Sequence, residues 1–175
     1  CVAGKYSVIG EGQCQDCALG TFQATAGQTS CGNVAAGKVG RTANVARTNL
    51  ADSIHETAAI IEVGCAKGTW RTASSGNSNC VLVPAGSVGR EVDTEGTFAA
   101  NEVAAAFTRL CPVNFYRDAA RSTALGDCED VPNGQQGQLS SGDAVWTGAT
   151  GGAAFAVDCV AGKYSVIGEG QCQDC

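Results

Sequence analysis

Methionine is absent from the 175 residues, histidine occurs once, and aromatic residues make up only 6% of the chain. A single histidine, His55, excludes a multi-histidine metal site and any histidine-based site repeated along the chain. The hydrophobic fraction of 44% is dominated by alanine and valine, which bury little area each, so one thick core is not expected. Charge is thin as well: 17 acidic and 11 basic residues leave a net charge of -6, without a long run of either sign. A nucleic-acid partner is therefore not expected, because no basic footprint for a phosphate backbone exists. No stretch approaches the ~20 consecutive apolar residues of a membrane span. The sequence opens on Cys1 without a charged-then-apolar leader, and the expectation is a window cut from a longer mature chain. Asn-x-Ser/Thr is missing too, which leaves O-linked glycans on Ser and Thr as the expected kind of sugar.

What the chain does have is cysteine, 11 of them, far above cytosolic usage. Small modules with thin cores commonly compensate with disulfides, which persist in an oxidising compartment. An extracellular or secreted location follows, at a cell surface or on a shed fibre.

Repetition is the strongest signal. Residues 1–17, CVAGKYSVIGEGQCQDC, recur unchanged as residues 159–175, a period of 158 residues. Inside the period a weaker repeat opens at Cys31, Cys80 and Cys128 as CGNVAAGKVGR, CVLVPAGSVGR and CEDVPNGQQGQ, each with a valine (Val34, Val83, Val131) three residues on. These frames close alike on AAII, AAAF and GAAF before Cys65, Cys111 and Cys159. A third pattern, Cys-x-x-Gly-x-aromatic, starts at Cys1, Cys17, Cys65 and Cys111 and reaches a second cysteine 13 to 17 positions later. Only Asn114 replaces the glycine, and asparagine also tolerates a left-handed backbone. The aromatics Tyr6, Phe22, Trp70, Tyr116 and, in the second copy, Tyr164 are expected to cover their own module's disulfide.

Over CVAGKYSVIGEGQCQDCALGTFQATAGQTSC the chain resembles the cysteine-rich repeats of the ephrin-receptor-like and tumour-necrosis-factor-receptor-like type, C-x-x-G-x-Y/F followed by C-x-x-C. The likeness is good over 1–31 and 159–175, partial at 65–80 and 111–128, and absent between. Val34, Val83 and Val131 stand where that family carries its next cysteine, so those frames read as modules without a staple. The module frames imply sequential pairing: Cys1–Cys14, Cys17–Cys31, Cys65–Cys80, Cys111–Cys128 and Cys159–Cys172. Cys175, the copy of Cys17, is then expected to bond in a following repeat. Each bridge closes a loop of about 15 residues, for which the chain-entropy estimate is about 3 kcal/mol.

The expected fold is mainly β: small disulfide-rich modules with β-hairpin inserts in an elongated tandem array. Two short modules fill 1–31, repeat units follow at 31–80, 80–128 and 128–172, and 159–175 begins the next period. The insert 143–158 reads as a hairpin of two alternating segments around a Gly-rich turn, and 96–110, which occupies the equivalent place, reads as one too. The segment 48–63 could carry a helical face through Leu50, Ile54, Ala58 and Ile61 with Asn49 as cap, yet its alignment with the Gly-bearing third insert favours strand.

Sites for chemistry are few. Cys14-Gln-Asp-Cys17 has redox spacing without a thioredoxin-like surround, and a zinc site at Cys1, Cys14, Cys17 and Cys31 has one Cys-x-x-Cys where a ribbon wants two. Asp127, Glu129, Asp130 and Asn133 form a weak calcium candidate whose spacing does not match a helix–loop–helix site. His55 is expected to be an exposed polar residue. The serine-bearing turns at 74–78 and 140–143 lack a nucleophile's partner. No catalytic residue and no cofactor is expected, and the chain is not expected to be an enzyme. The favoured function is a structural repeat protein of an extracellular, mastigoneme-like fibre or cell-surface appendage, whose partner is itself. The alternative is a cysteine-rich receptor or adhesive ectodomain with a protein or glycan ligand.

Overall fold

A computed structural model describes residues 1–44, 53–72, 79–93, 100–123, 126–139 and 151–175. Its strands are β1 (Lys5–Tyr6), β2 (Gln15–Asp16), β3 (Thr21–Phe22), β4 (Gly32–Asn33), β5 (Lys38–Arg41), β6 (Ile61–Gly64), β7 (Thr69–Trp70), β8 (Val81–Leu82), β9 (Ser87–Arg90), β10 (Phe107–Leu110), β11 (Phe115–Tyr116), β12 (Glu129–Asp130), β13 (Gln135–Gln138), β14 (Phe155–Asp158), β15 (Lys163–Tyr164) and β16 (Gln173–Asp174). Every sheet they form has two strands. The fold is thus mainly β hairpins in small disulfide-bonded modules in series. A five-residue helix, α1 (Ala119–Thr123), lies inside the longest disulfide loop and was not expected from the sequence.

One local device generates all the modules. The cysteine frames at Cys1, Cys17, Cys65, Cys111 and Cys159 and the valine frames at Val34, Val83 and Val131 make the same turn, in which the residue after the glycine donates its N–H to the carbonyl three residues back at 3.0–3.3 Å. The fourth residue of each frame, glycine or Asn114, has φ between 70° and 85°, the left-handed setting that a type II turn requires at that position. All three prolines, Pro84, Pro112 and Pro132, occupy the second place of a frame, where they supply the accepting carbonyl of the turn.

The two kinds of frame differ in how the strand after the turn is held. In the cysteine frames that strand has two residues, as in Lys5↔Asp16 and Tyr6↔Gln15, and the hairpin is closed by a bridge. Two paired residues are too few to hold a hairpin in water, so the covalent link carries it. The bridges are Cys1–Cys14, Cys17–Cys31, Cys65–Cys80, Cys111–Cys128 and Cys159–Cys172. In the valine frames the strand has four residues, as in Lys38↔Gly64 through Arg41↔Ile61 and Gln135↔Asp158 through Gln138↔Phe155. The longer ladder stands where a staple is missing, and the leading valine keeps the buried place of the cysteine: Val34, Val83 and Val131 are all buried.

Of the segments 96–110 and 143–158, the described part supplies one strand each: β10 pairs with β9, and β14 pairs with β13, both partners lying in the preceding valine frame. Their residues 96–99 and 143–150, the serine turns 74–78 and 140–143, and residues 48–52 with the suggested cap Asn49 lie outside the described residues. In the described part of the segment 48–63, residues 53–63, the strand is confined to the end, since Ala58 sits in a turn with φ 54° and β6 begins at Ile61.

The chain divides into two compact units, Cys1–Val81 with Arg90–Asp93 and Val103–Phe107, and Leu82–Gly89 with Thr94–Glu102 and Thr108–Cys175. Each core is thin. In the first, Val39 packs with Cys65 and Cys80; in the second, Val88 packs with Cys111, Cys128 and Phe115. These two bridges are therefore covered by the valine of the frame before them, and the module aromatics Tyr6, Phe22, Trp70 and Tyr116 are only half-buried, with Tyr164 exposed. Among the described residues no helix is long and apolar enough to cross a membrane.

Candidate functional site

The seam between successive frames is the recurring feature to which the sequence commits its polar groups. It begins with backbone alone. The first residue of a frame donates its N–H to the turn carbonyl of the frame before, from Cys17 to Gly4, Val34 to Gly20, Cys65 to Gly37, Cys111 to Gly86, Val131 to Asn114, Cys159 to Gly134 and Cys175 to Gly162, all at 2.7–3.1 Å. A second rung runs the other way: the turn N–H of Gly4, Gly37, Gly86 and Gly134 donates to the carbonyl of Gln23, Arg71, Arg117 and Ser165, the residue six places into the next frame.

The insert then closes over the seam. Ala58, Ala104 and Gly152 donate to the carbonyls of Cys17, Cys65 and Cys111 at 2.8–2.9 Å, while their own carbonyls press on the turn glycine. A Cβ at Gly4, Gly37 or Gly86 would lie 2.2, 1.9 and 2.2 Å from those oxygens, so only glycine admits the contact.

Side chains finish what the backbone starts. Arg117 is fully buried and points into the turn of the Val83 frame, where its Nη1 donates to the carbonyls of Val83, Pro84 and Ser87 at 2.8, 2.9 and 3.1 Å while Nε donates to Gly126 at 2.7 Å. Arg71 does the same in the first unit, donating to Ala35 and Lys38 at 3.1 and 3.2 Å. Burial draws both guanidinium groups below their ordinary value, and for Arg117 the carboxylates of Asp127 and Asp118 oppose that. In the Cys159 frame the same place is taken by Ser165, whose hydroxyl donates to Gln135 at 2.7 Å.

His55 is buried, not exposed. Its Nδ1 accepts from the N–H of Gly40 at 3.0 Å, and in the second unit Asn101 Oδ1 accepts from Gly89 at 2.8 Å. The two residues are equivalents, each followed by a glutamate and, two further on, by the Ala-Ala pair that covers the seam. Glu56, next to His55, accepts from the Thr42 N–H and hydroxyl, both at 2.6 Å, and meets Arg41 at 3.1 Å. The Thr42 hydroxyl first, then its N–H, and Arg41 hold the Glu56 carboxyl below its usual value, against a smaller upward push from burial.

The other candidates are dispersed. Asp127 accepts from the Asn101 N–H at 2.7 Å, Asn133 accepts from the Ile167 N–H, and Glu129 and Asp130 are exposed neighbours on β12, where consecutive side chains point to opposite faces. Among the described residues no three His, Cys, Asp or Glu side chains are grouped to hold a metal ion. Cys14 and Cys17 belong to different bridges, and Cys175 is an exposed free cysteine.

The sequence reading passed over Arg71, Arg117 and Asn101. A signal for each was present: both arginines stand six places after a frame-opening cysteine, in CAKGTWR and CPVNFYR, and HETAA aligns with NEVAA. Composition does not reveal a cage of carbonyls.

No curated protein matches this chain. Residues 4–41 match the family model described as tyrosine-protein kinase ephrin type A/B receptor-like. The matched stretch runs through the Cys17 frame and on through the Val34 frame to the end of β5, so a valine-led frame lies within it. Residues 4–41 are thus similar to ephrin-receptor-like cysteine-rich sequence, and with the five disulfides they mark the chain as extracellular in type.

Proposed function

We infer that the protein is an extracellular structural repeat protein that builds a filament or cell-surface appendage by head-to-tail repetition, and that it is not an enzyme. The observation that carries this reading is the sameness of the seam. Seven frame openings, two of them valine-led, donate to the turn carbonyl of the frame before, four of these seams add the returning rung, and the 17-residue opening returns unchanged after 158 residues. A contact between unlike surfaces repeated by a fixed operation propagates unless its rotation closes a ring. Both buried arginines face carbonyls within the seams, and the one histidine accepts from a backbone N–H.

The test is small-angle scattering and electron microscopy on one, two and three consecutive 158-residue periods. A rod whose length grows in proportion to period number supports the filament, and a globule whose radius barely grows overturns it. The ephrin-receptor-like match over residues 4–41 favours a second reading, a receptor or adhesive ectodomain with a protein or glycan ligand. Dispersed monomers in the native material, with no fibres by microscopy, would select it.

A further inference from the structure

The identical segments 1–17 and 159–175 are seen in two different surroundings, and each exposes the face that the other buries. In the first copy Gly4 is buried: its N–H donates to Gln23 at 2.8 Å, and a Cβ on it would meet the Ala58 carbonyl at 2.2 Å. Cys1 further accepts from Gly27 at 2.8 Å. The turn side of this copy is thus covered by residues between 18 and 60. In the second copy Gly162 keeps the same backbone, φ 85° against 79°, but is exposed, with nothing within 4 Å of an added Cβ.

The loop side is reversed. In the second copy Ser165 accepts from Gly134 at 3.1 Å and donates through its hydroxyl to Gln135, Gly170 accepts from Gly137 at 3.0 Å, and Asn133 holds the Ile167 N–H. Gly170 is buried against Asn114. In the first copy Gly12, its equivalent, is exposed with nothing within 4 Å, and Ile9 is 92% exposed where Ile167 is 59%. One sequence therefore carries two complementary docking faces, of which each copy shows one in use.

We propose that the open turn face of residues 159–175 is the docking site for residues 18–44 and 53–60 of a second copy of this unit, in the place where that copy would carry its own residues 1–17. The 17-residue segment is then a shared piece, the last frame of one period and the first of the next, and a period contains seven frames and not eight. Gly162 becomes the donor to the second copy's Gln23 carbonyl, and Cys175 the bonding partner of the second copy's Cys31. This inference rests on the head-to-tail reading above and specifies its contact.

The test compares the chain 1–175 with one in which residues 18–175 follow Cys175 again, using residue-resolved amide exchange by NMR. Since the local sequence around Gly4 and Gly162 is the same, their intrinsic exchange rates match and each is the other's control. In the single chain Gly162 is expected to exchange at least about 100-fold faster than Gly4, and in the doubled chain to slow to the rate of Gly4. Peptide mapping of the doubled chain is expected to link Cys175 to the second copy of Cys31. A Gly162 amide that stays fast in the doubled chain while Gly4 is slow overturns the proposal, as does a Cys175 bonded elsewhere. Slow exchange at Gly162 in a doubled chain that scattering shows to be compact would keep the seam and remove the filament, whereas a rod with a fast Gly162 would do the reverse.

Discussion

Arg117 is held to Val83 across 34 residues of sequence by a 2.8 Å bond from its Nη1 to the Val83 carbonyl, and the hydroxyl of Ser122 donates to that same oxygen. A charged group is thus used as the keystone of a turn, with three carbonyls on its Nη1 and the Asp127 and Asp118 carboxylates favouring its charge. Lysine cannot reproduce this, because one ammonium cannot serve these carbonyls and Gly126 from a single fork. Arg117→Lys is expected to destabilise the second unit by about 2–4 kcal/mol, the range for removing a buried charged donor and leaving its acceptors unpaired. Urea titration followed by fluorescence reads it, and a loss below about 0.5 kcal/mol would mean that water satisfies the carbonyls equally well.

His55 and Asn101 do the same work with different chemistry. His55→Asn is expected to stay within about 1 kcal/mol of the parent, since the amide oxygen can accept from Gly40 as Asn101 does from Gly89. His55→Leu strands the Gly40 N–H and should cost about 1–3 kcal/mol. Equal melting shifts for the two variants would show that ring packing matters there, not the acceptor.

Val39 covers a disulfide that belongs to the next frame. Its truncation in Val39→Ala should cost about 2 kcal/mol through lost burial and a small cavity. The Cys65–Cys80 bridge should also become more quickly reduced by dithiothreitol, because thiol exchange depends on access to the sulfurs. Cys1–Cys14, with its first cysteine already half-buried and no contact to Val39 in the core cluster, should be reduced at an unchanged rate. A uniform change across all five bridges would argue for one shared core.

Glu56 gives the first unit a pH dependence. Its carboxyl is held below the ordinary 4.5 when folded, so its contribution is complete above that value and is lost as pH falls through the lower, folded one. Because the group is partly exposed, the effect should be about 1 kcal/mol at most. Thermal melts between pH 7 and 2 should show a decline beginning below about pH 4.5 that Glu56→Gln flattens. A decline of the same slope in the variant would assign the acid sensitivity to other carboxylates.

The staple positions are readable in the sequence because both half-cystines of each bridge lie within one Cys-x-x-Gly-x-aromatic module, and the turn glycine between them needs no tertiary information. Pairing of the inserts was not readable in the same way. The strand at Phe155–Asp158 finds its partner at Gln135–Gln138, beyond a long connection, and alternation within 143–158 says nothing about a partner outside it. His55 was misplaced for a related reason: a lone histidine in a polar stretch looks solvated until the backbone N–H that it serves is known. The valine frames were seen as modules without a bridge, but that Val39 and Val88 cover the next frame's disulfide depends on side-chain fit between hairpins, which sequence spacing does not encode.

Every bridge joins neighbours in the order in which cysteines occur along the chain, over separations of 13 to 17 residues. Biosynthesis feels this directly. A chain entering an oxidising compartment amino end first presents each cysteine's proper partner before any later competitor has emerged, so the correct bond is also the earliest one available. Loops this short close on a timescale of about 100 ns, far faster than residues are added at roughly 5–20 per second. Meeting of the two thiols is therefore not the slow step, which is the oxidation itself, at seconds or longer, and shuffling of wrong pairs, which would grow steeply with array length if bridges were long-range, stays a local matter however many periods are strung together.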